Sequence, residues 1–387
     1  MDVLQTLLIY AGSFVLVLSV VVFVHEFGHF QVARWRGVAI DTFSIGFGKT
    51  LVSWRDKQGV EWKIGALPLG GYVKFADDAD AMSTAPREKI EDPAALAEAR
   101  KKGLFHAQPL STRSMVVAAG PITNFVFSIL AFALLAFIMG RDVPTIDTVT
   151  EDSPAAAAGL LPGDIVRSVD GRRIRDFQTL QQVIAVSANR PLTFVVMRDE
   201  QPVSLQVTPA PNAENPEIGS IGVSHNGSPE SLERLGPIAS IGAGAEKTWA
   251  IIAQTGSYIG GVFTGRESGN QIAGPLGIIN VSGQVANSAL TGGDDDVTLM
   301  YRLGILALSL LHLAAVLSVA VGIVNLLPIP ILDGGHLLFY AIEGVRGGKP
   351  LPPMAQEWAY RAGFAVMASL FLFATWNDIT RLFPGAQ

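Results

Sequence analysis

Cysteine is absent from the 387 residues, histidine occurs only six times, and charged side chains make up just 16% of the chain. The first absence excludes disulfides, and it excludes thiolate from any metal site, so a metal here would be held by imidazole and carboxylate. The scarcity of charge, set against 49% hydrophobic residues, excludes a solvated, disordered chain. A net charge of −6 also argues that nucleic acid is not a partner, because phosphate binding rests on clustered Lys and Arg.

What the chain has instead is four long apolar runs, residues 3–24, 115–139, 303–327 and 358–376. Each is about long enough to cross a ~30 Å hydrocarbon core, which makes the lipid bilayer a partner. Arg361 lies near one end of the last run, where it can snorkel. The first run reads as a retained span rather than a signal peptide, since it lacks a basic n-region and an A-x-A site. Orientation follows from the distribution of positive charge. Residues 31–113 hold 13 of the 28 Lys and Arg, whereas the longer stretch 141–302 holds 11. Positive charge stays inside, so the first polar stretch is expected in the cytoplasm and the second outside.

His25-Glu26-Phe27-Gly28-His29 closes the first run. On a helix, His at i and i+4 share a face and can grip one zinc ion, while the Glu between them reaches a metal-bound water. The plain alternative is a pair of histidines that satisfies polar neighbours. Lipid weakens it, because two imidazoles and a carboxylate at membrane depth are costly unless they have a function.

The third run ends in Asn325-Leu326-Leu327-Pro328-Ile329-Pro330-Ile331-Leu332-Asp333-Gly334-Gly335-His336. Asp333 is the natural third ligand, leaving a fourth position open for water. His336 competes for that role, and His312 lies too far back along the run. Pro328 and Pro330 break the helix, which membrane depth tolerates only beside an enclosed or watery cavity. A simple exit from the bilayer would explain the prolines but not Asn325 and Asp333.

Between the first two runs, residues 43–75 alternate and are interrupted by glycines, including Gly70-Gly71-Tyr72, as bent hairpins with open edges would be. Residues 76–102 turn acidic and Ala-rich, as in a loop with a short helix. Residues 141–223 read as a compact α+β module: Leu160-Leu161-Pro162-Gly163-Asp164-Ile165-Val166, then Val169-Asp170-Gly171, a helix near 177–186 and a strand at 192–197. Residues 237–265 are apolar but broken by glycines. Parity favours a surface helix there, since a fifth crossing would put His29 and Asp333 on opposite faces.

Taken together, HEFGH, Gly120-Pro121-Ile122-Thr123-Asn124-Phe125, Glu246-Lys247-Thr248-Trp249, Gly274-Pro275-Leu276-Gly277 and the NxxPxPxxDGGH run resemble the site-2 protease family of intramembrane zinc metalloproteases, closest to its bacterial regulator of sigma-E branch, over essentially the whole chain. The 141–223 module resembles a bacterial PDZ domain, one copy where the best-known members of that branch have two.

The resemblance implies Zn2+ held by His25, His29 and Asp333, with Glu26 as general base and Asn325 engaging substrate. It implies that 43–75 is a membrane-associated β region and that the site is in the bacterial inner membrane. The implied substrates are single-pass transmembrane proteins, such as a pre-trimmed anti-sigma factor or remnant signal peptides. An unwound substrate would pair with an open strand edge near Gly70, Gly71 and Tyr72, with Asn325, Pro328 and Pro330 as further contacts. Gly120 and Asn124 read as close helix packing and an interhelical hydrogen bond. A metal transporter using the same residues, or a catalytically silent PDZ scaffold, are the alternatives from other classes.

The expected fold is a polytopic α-helical membrane protein with four transmembrane helices, a cytoplasmic-side membrane-associated β region and one periplasmic PDZ-like α+β domain. Its divisions are 1–36 (first transmembrane helix with the HExxH), 37–113 (β region and loop), 114–140 (second helix), 141–225 (PDZ-like domain), 226–302 (periplasmic-side amphipathic helix and loop), 303–327 (third helix), 328–357 (NxxPxPxxDG segment and loop) and 358–383 (fourth helix). With no native thiol as background, single cysteines at Ser83 and Lys349 should be labelled only from the cytoplasmic side, and one at Asn226 only from outside. Outside labelling at Lys349 would mean a fifth crossing and would sink this topology.

Overall fold

A computed structural model describes residues 3–76, 90, 92–212, 218–225, 232–270, 272–292 and 298–382, so most of the expected acidic loop lies outside the described residues. The chain forms two compact units, residues 1–132 with 244–387, and residues 133–243.

In the first unit, α1 (Val3–Trp35) is 33 residues without proline, predominantly apolar as far as Val24. Such a segment satisfies its own backbone groups, the requirement lipid imposes. The strands β1 (Ile40–Arg55) and β2 (Glu61–Phe75) follow. Residues 42–45 pair on one side with 61–64 and on the other with 71–74, so that Ile45 faces both Ile64 and Gly71. Residues 50–55 pair with 61–65. The 71–74 segment is therefore an edge, since no other described strand pairs with it. Phe30 of α1 and Phe43 of β1 are almost fully buried against each other, with Trp62 and Phe27 around them. Burial on that scale contributes about 1.5–3 kcal/mol per large side chain and fastens the sheet to α1. A polar clasp supports it, in which Arg34 pairs with Asp56 at 2.9 Å.

Next come α2 (Pro93–Lys101) and α3 (Leu110–Met139). The short α2 begins at the Asp92 cap, whose carboxylate accepts from the Ala94 and Ala95 amides.

The second unit is an α+β module. Its antiparallel sheet has the order Arg172–Arg173, Ile165–Val169, Leu192–Arg198, Gln201–Val207. The last two strands form a hairpin whose turn residues Asp199 and Glu200 both have positive φ, as a two-residue turn between twisted strands requires. The short helix α4 (Pro154–Ala157) precedes the sheet, and α5 (Phe177–Ala185) lays Phe177, Leu180 and Ile184 into a core with Phe194, Val196 and Leu160. Those positions are three and four apart, one helical face. The Leu160-to-Val166 phrase folds around Asp164, which is buried, accepts from the Leu161 amide at 2.9 Å and takes both prongs of Arg198 at 2.7 Å.

Beyond it, α6 (Pro237–Phe263) is followed by α7 (Pro275–Thr291), α8 (Leu299–Asn325), α9 (Asp333–Val345) and α10 (Pro353–Leu382). Among the described residues four helices are long and apolar enough to cross a membrane, α1, α3, α8 and α10, and α6 is not among them. The expectation of one amphipathic helix and a loop over 226–302 needs correction, because α7 adds 17 helical residues there. Its start is capped from a distance. Asp378 of α10 is buried and accepts from the amides of Gly274 at 3.0 Å and Gly277 at 2.9 Å. Glycine at the cap supplies no side chain, so the local sequence holds no start signal beyond Pro275. Leu310 and Ala314 of α8 pack on Val17 and Val21 of α1, with Phe127 and Val285 alongside. Replacing Asp378→Ala leaves two buried amides unpaired and should cost about 1–3 kcal/mol. Thermal unfolding in detergent checks this, and an unchanged midpoint would refute the role of the cap.

Candidate metal centre

His25 and His29 are one helical turn apart on α1, and their Nε2 atoms lie 3.2 Å from each other. Asp333 Oδ2 lies 3.2 Å from the first and 3.4 Å from the second. Three tetrahedral ligands with bonds of ~2.0 Å stand about 3.3 Å apart, so the spacing is that of a shared metal. Asp333 Oδ2 is buried, and despite these distances it makes no well-directed hydrogen bond. Among the described residues no other group of His, Asp or Glu converges in this way. The donor set of two imidazoles and a carboxylate fits zinc, with room for a fourth ligand.

Close helix contacts place these atoms. Gly120 of α3 sits against both imidazoles, and a methyl there would run into His29 Nε2 and come within 2.8 Å of His25 Cε1. One turn along α1, Gly28 meets the Ala119 carbonyl and Thr123 just as tightly. His29 Nδ1–H donates to the Val116 carbonyl at 2.8 Å, which leaves the Nε2 lone pair for a metal. Asn124, fully buried, lies 3.2 Å from His25 Nδ1. Asp333 arrives by a fold-back. The helix ends at Asn325, residues 326–332 with Pro328 and Pro330 form the break, and α9 starts at Asp333. Gly334 and Gly335 lie so close to the backbone of Leu326, Leu327, Ile329 and Pro330 that a side chain at either would collide with it.

A cavity of about 780 Å³ opens on the three donors, and Glu26, Gly71, Tyr72 and Asn325 also line it. Gly71 of the edge segment lies directly on Glu26, where an added methyl would be 2.9 Å from Glu26 Cγ. Gly70, Pro328 and Pro330 are not among the lining residues. Gly70 holds a φ of +151° against the Phe47 ring, and Pro330 packs on Gly363 of α10. Gly70 therefore backs the wall at Phe47, which does line the cavity. His336 also faces the cavity, but its ring stands among Phe339 and Tyr360, outside the donor cluster. His312 packs against Phe132.

Three features of the site had no reading as parts of it in the sequence. Gly120 and Asn124 were expected as close helix packing and an interhelical hydrogen bond, and both are present, but the partner of each is a ring of the donor cluster, a role that their shared face alone did not show. The cavity wall is braced by Arg113 of α3 and Glu343 of α9, whose nitrogens and oxygens meet at 2.6 and 3.2 Å across 230 residues of chain. Arg113 also lies over the Tyr340 ring, and burial pushes that phenol up to about 12, so it stays un-ionised.

The model of peptidase family M50 matches residues 13–370. A Rhizobium meliloti protein that carries a provisional zinc metalloprotease name is 41% identical over 381 residues, 96% of each chain. Metalloprotease MmpA of Caulobacter vibrioides is 40% identical, over 97% of this chain and 96% of its own. A Rickettsia conorii relative with a provisional zinc metalloprotease name is 33% identical over 96% of this chain. The chain belongs to peptidase family M50, the site-2 proteases.

Because Gly120 leaves no room behind the rings, Gly120→Ala should weaken zinc binding at least ~10-fold by displacing them. Gly12→Ala, which faces open space on α1, is the control and should bind as the parent does. Chelator competition on the purified, folded proteins measures both. Equal affinities in the two variants would refute the packing argument.

Proposed function

We propose that this peptidase is a zinc-dependent intramembrane endopeptidase that cleaves within or beside the transmembrane segment of single-pass membrane proteins. The observation that carries the reading is the convergence of Asp333, at the start of α9, with His25 and His29 inside α1, a helix long enough to span a bilayer, on a cavity that the open strand edge also lines. His25, His29 and Asp333 would hold the metal. Bound zinc supplies Lewis-acid chemistry, acidifying a water and polarising the scissile carbonyl.

This chain's own groups do the rest. Glu26, between the two histidines and beside Gly71, takes the proton from the attacking water and delivers it to the leaving amine. A helical peptide bond is shielded by its own turn, so the substrate must unwind, and its freed amides and carbonyls need new partners. Residues 71–74 offer them along the cavity wall, and strand addition to such an edge is a recurrent mode of peptide capture. Asn325, at the end of α8 and facing the same cavity, holds the extended backbone through its amide.

The same reading puts the protein in a bacterial inner membrane, in regulated intramembrane proteolysis. The 141–225 segment is a PDZ-like domain on the periplasmic side. Its order of strands and helices and the Asp164-centred turn support that assignment.

The test uses purified protein and a single-pass model substrate, with and without a zinc chelator. Glu26→Gln should keep about one zinc and lose all cleavage, because Glu26 acts on water and is not a ligand. Asp333→Ala should lose both metal and cleavage. Turnover by Glu26→Gln would eliminate the mechanism, and normal zinc in Asp333→Ala would move the third ligand to His336.

A further inference from the structure

We infer that Asn124 is a positioning residue for the metal, holding His25 in the tautomer and orientation that present Nε2 to it. This rests on the zinc-peptidase reading above. The two histidines differ in how their second nitrogen is held. His29 Nδ1 faces the Val116 carbonyl, which can only accept. His25 Nδ1 faces the side-chain amide of Asn124 at 3.2 Å, an amide whose Oδ1 is buried and has no hydrogen-bond partner among the described residues.

The nearer amide atom is Nδ2. As a donor to Nδ1 it would force the His25 proton onto Nε2, into the space between His29 and Asp333 where the donors converge. Amide oxygen and nitrogen exchange places by a half-turn about the last side-chain torsion. That half-turn gives Oδ1 the Nδ1–H as its partner and releases the Nε2 lone pair. Both histidines then donate from Nδ1 to an oxygen, the arrangement that fixes metal-ligating imidazoles.

Asn124 is also built to hold this position. It is wholly buried, and its backbone carbonyl accepts from Ser128 at 2.9 Å and from Ser318 of α8 at 3.1 Å. The single Ser128 hydroxyl proton is shared with the Ala315 carbonyl, also at 2.9 Å. An amide used only for helix packing would not need to set a polar atom against a nitrogen of His25.

The test compares Asn124→Leu and Asn124→Asp by zinc affinity in chelator competition and by the absorption spectrum of the cobalt-substituted protein, with monodispersity and thermal unfolding as checks on folding. Leu cannot accept, so its zinc affinity should fall about 10–100-fold with an altered cobalt spectrum. Asp accepts from Nδ1–H, so it should bind zinc like the parent and keep the parent's spectrum. A merely structural role gives the opposite order, because a buried carboxylate at membrane depth is more costly than leucine. Parent-like zinc affinity in Asn124→Leu, or loss of zinc in a folded Asn124→Asp, overturns the inference. If Asn124→Leu does not fold, the Asp variant decides alone. If the parent itself binds no zinc, the functional reading falls, and this inference falls with it.

Discussion

Two glycines, Gly28 on α1 and Gly120 on α3, let the helices meet so closely that the backbone of one lies against the side chains of the other. On that contact depend the direction of both imidazoles, the carbonyl partner of His29 and the amide partner of His25. In lipid, helices gain little from burying apolar surface against each other, so close packing and interhelical hydrogen bonds must do the holding. The proposed ligands lie where both are concentrated. Ser318 of α8, bonding the Asn124 carbonyl, and Ser128 of α3, reaching the Ala315 carbonyl, extend the same logic to α8.

The third donor comes from a different kind of structure. Asp333 follows a break in the chain rather than a regular helix, and the break is stable because Gly334 and Gly335 allow the turn to fold flat against its own backbone. The Arg113–Glu343 pair ties the start of α3 to α9 from the other side. A buried ion pair is poor support for stability but sets geometry well, since each partner is costly without the other. Two rigid attachments thus fix a carboxylate that its own segment could not hold.

The β region links the metal site to its surroundings. Its aromatic core against α1 leaves the 71–74 edge beside Glu26, so the base and the surface proposed to receive substrate are packed together. An edge strand is ordinarily an aggregation hazard. At the wall of a cavity lined by Asn325 and the three donors, the same edge is the place proposed for an unwound peptide.

Much of this was legible in the residues. The spacing of His25, Glu26 and His29 needs only helical periodicity to share a face, and the prolines and Asp333 mark a helix break by their own covalent chemistry. The four long helices were legible too, because hydropathy over ~20 residues is a local property. What the sequence could not settle was everything supplied from far along the chain. The start of α7 is satisfied by Asp378, about a hundred residues away, and the face of α3 that carries Gly120 and Asn124 gains its meaning only from the ring packed against it. Composition and periodicity report what a segment can form, whereas a partner's atoms at 3 Å are decided by how the helices meet.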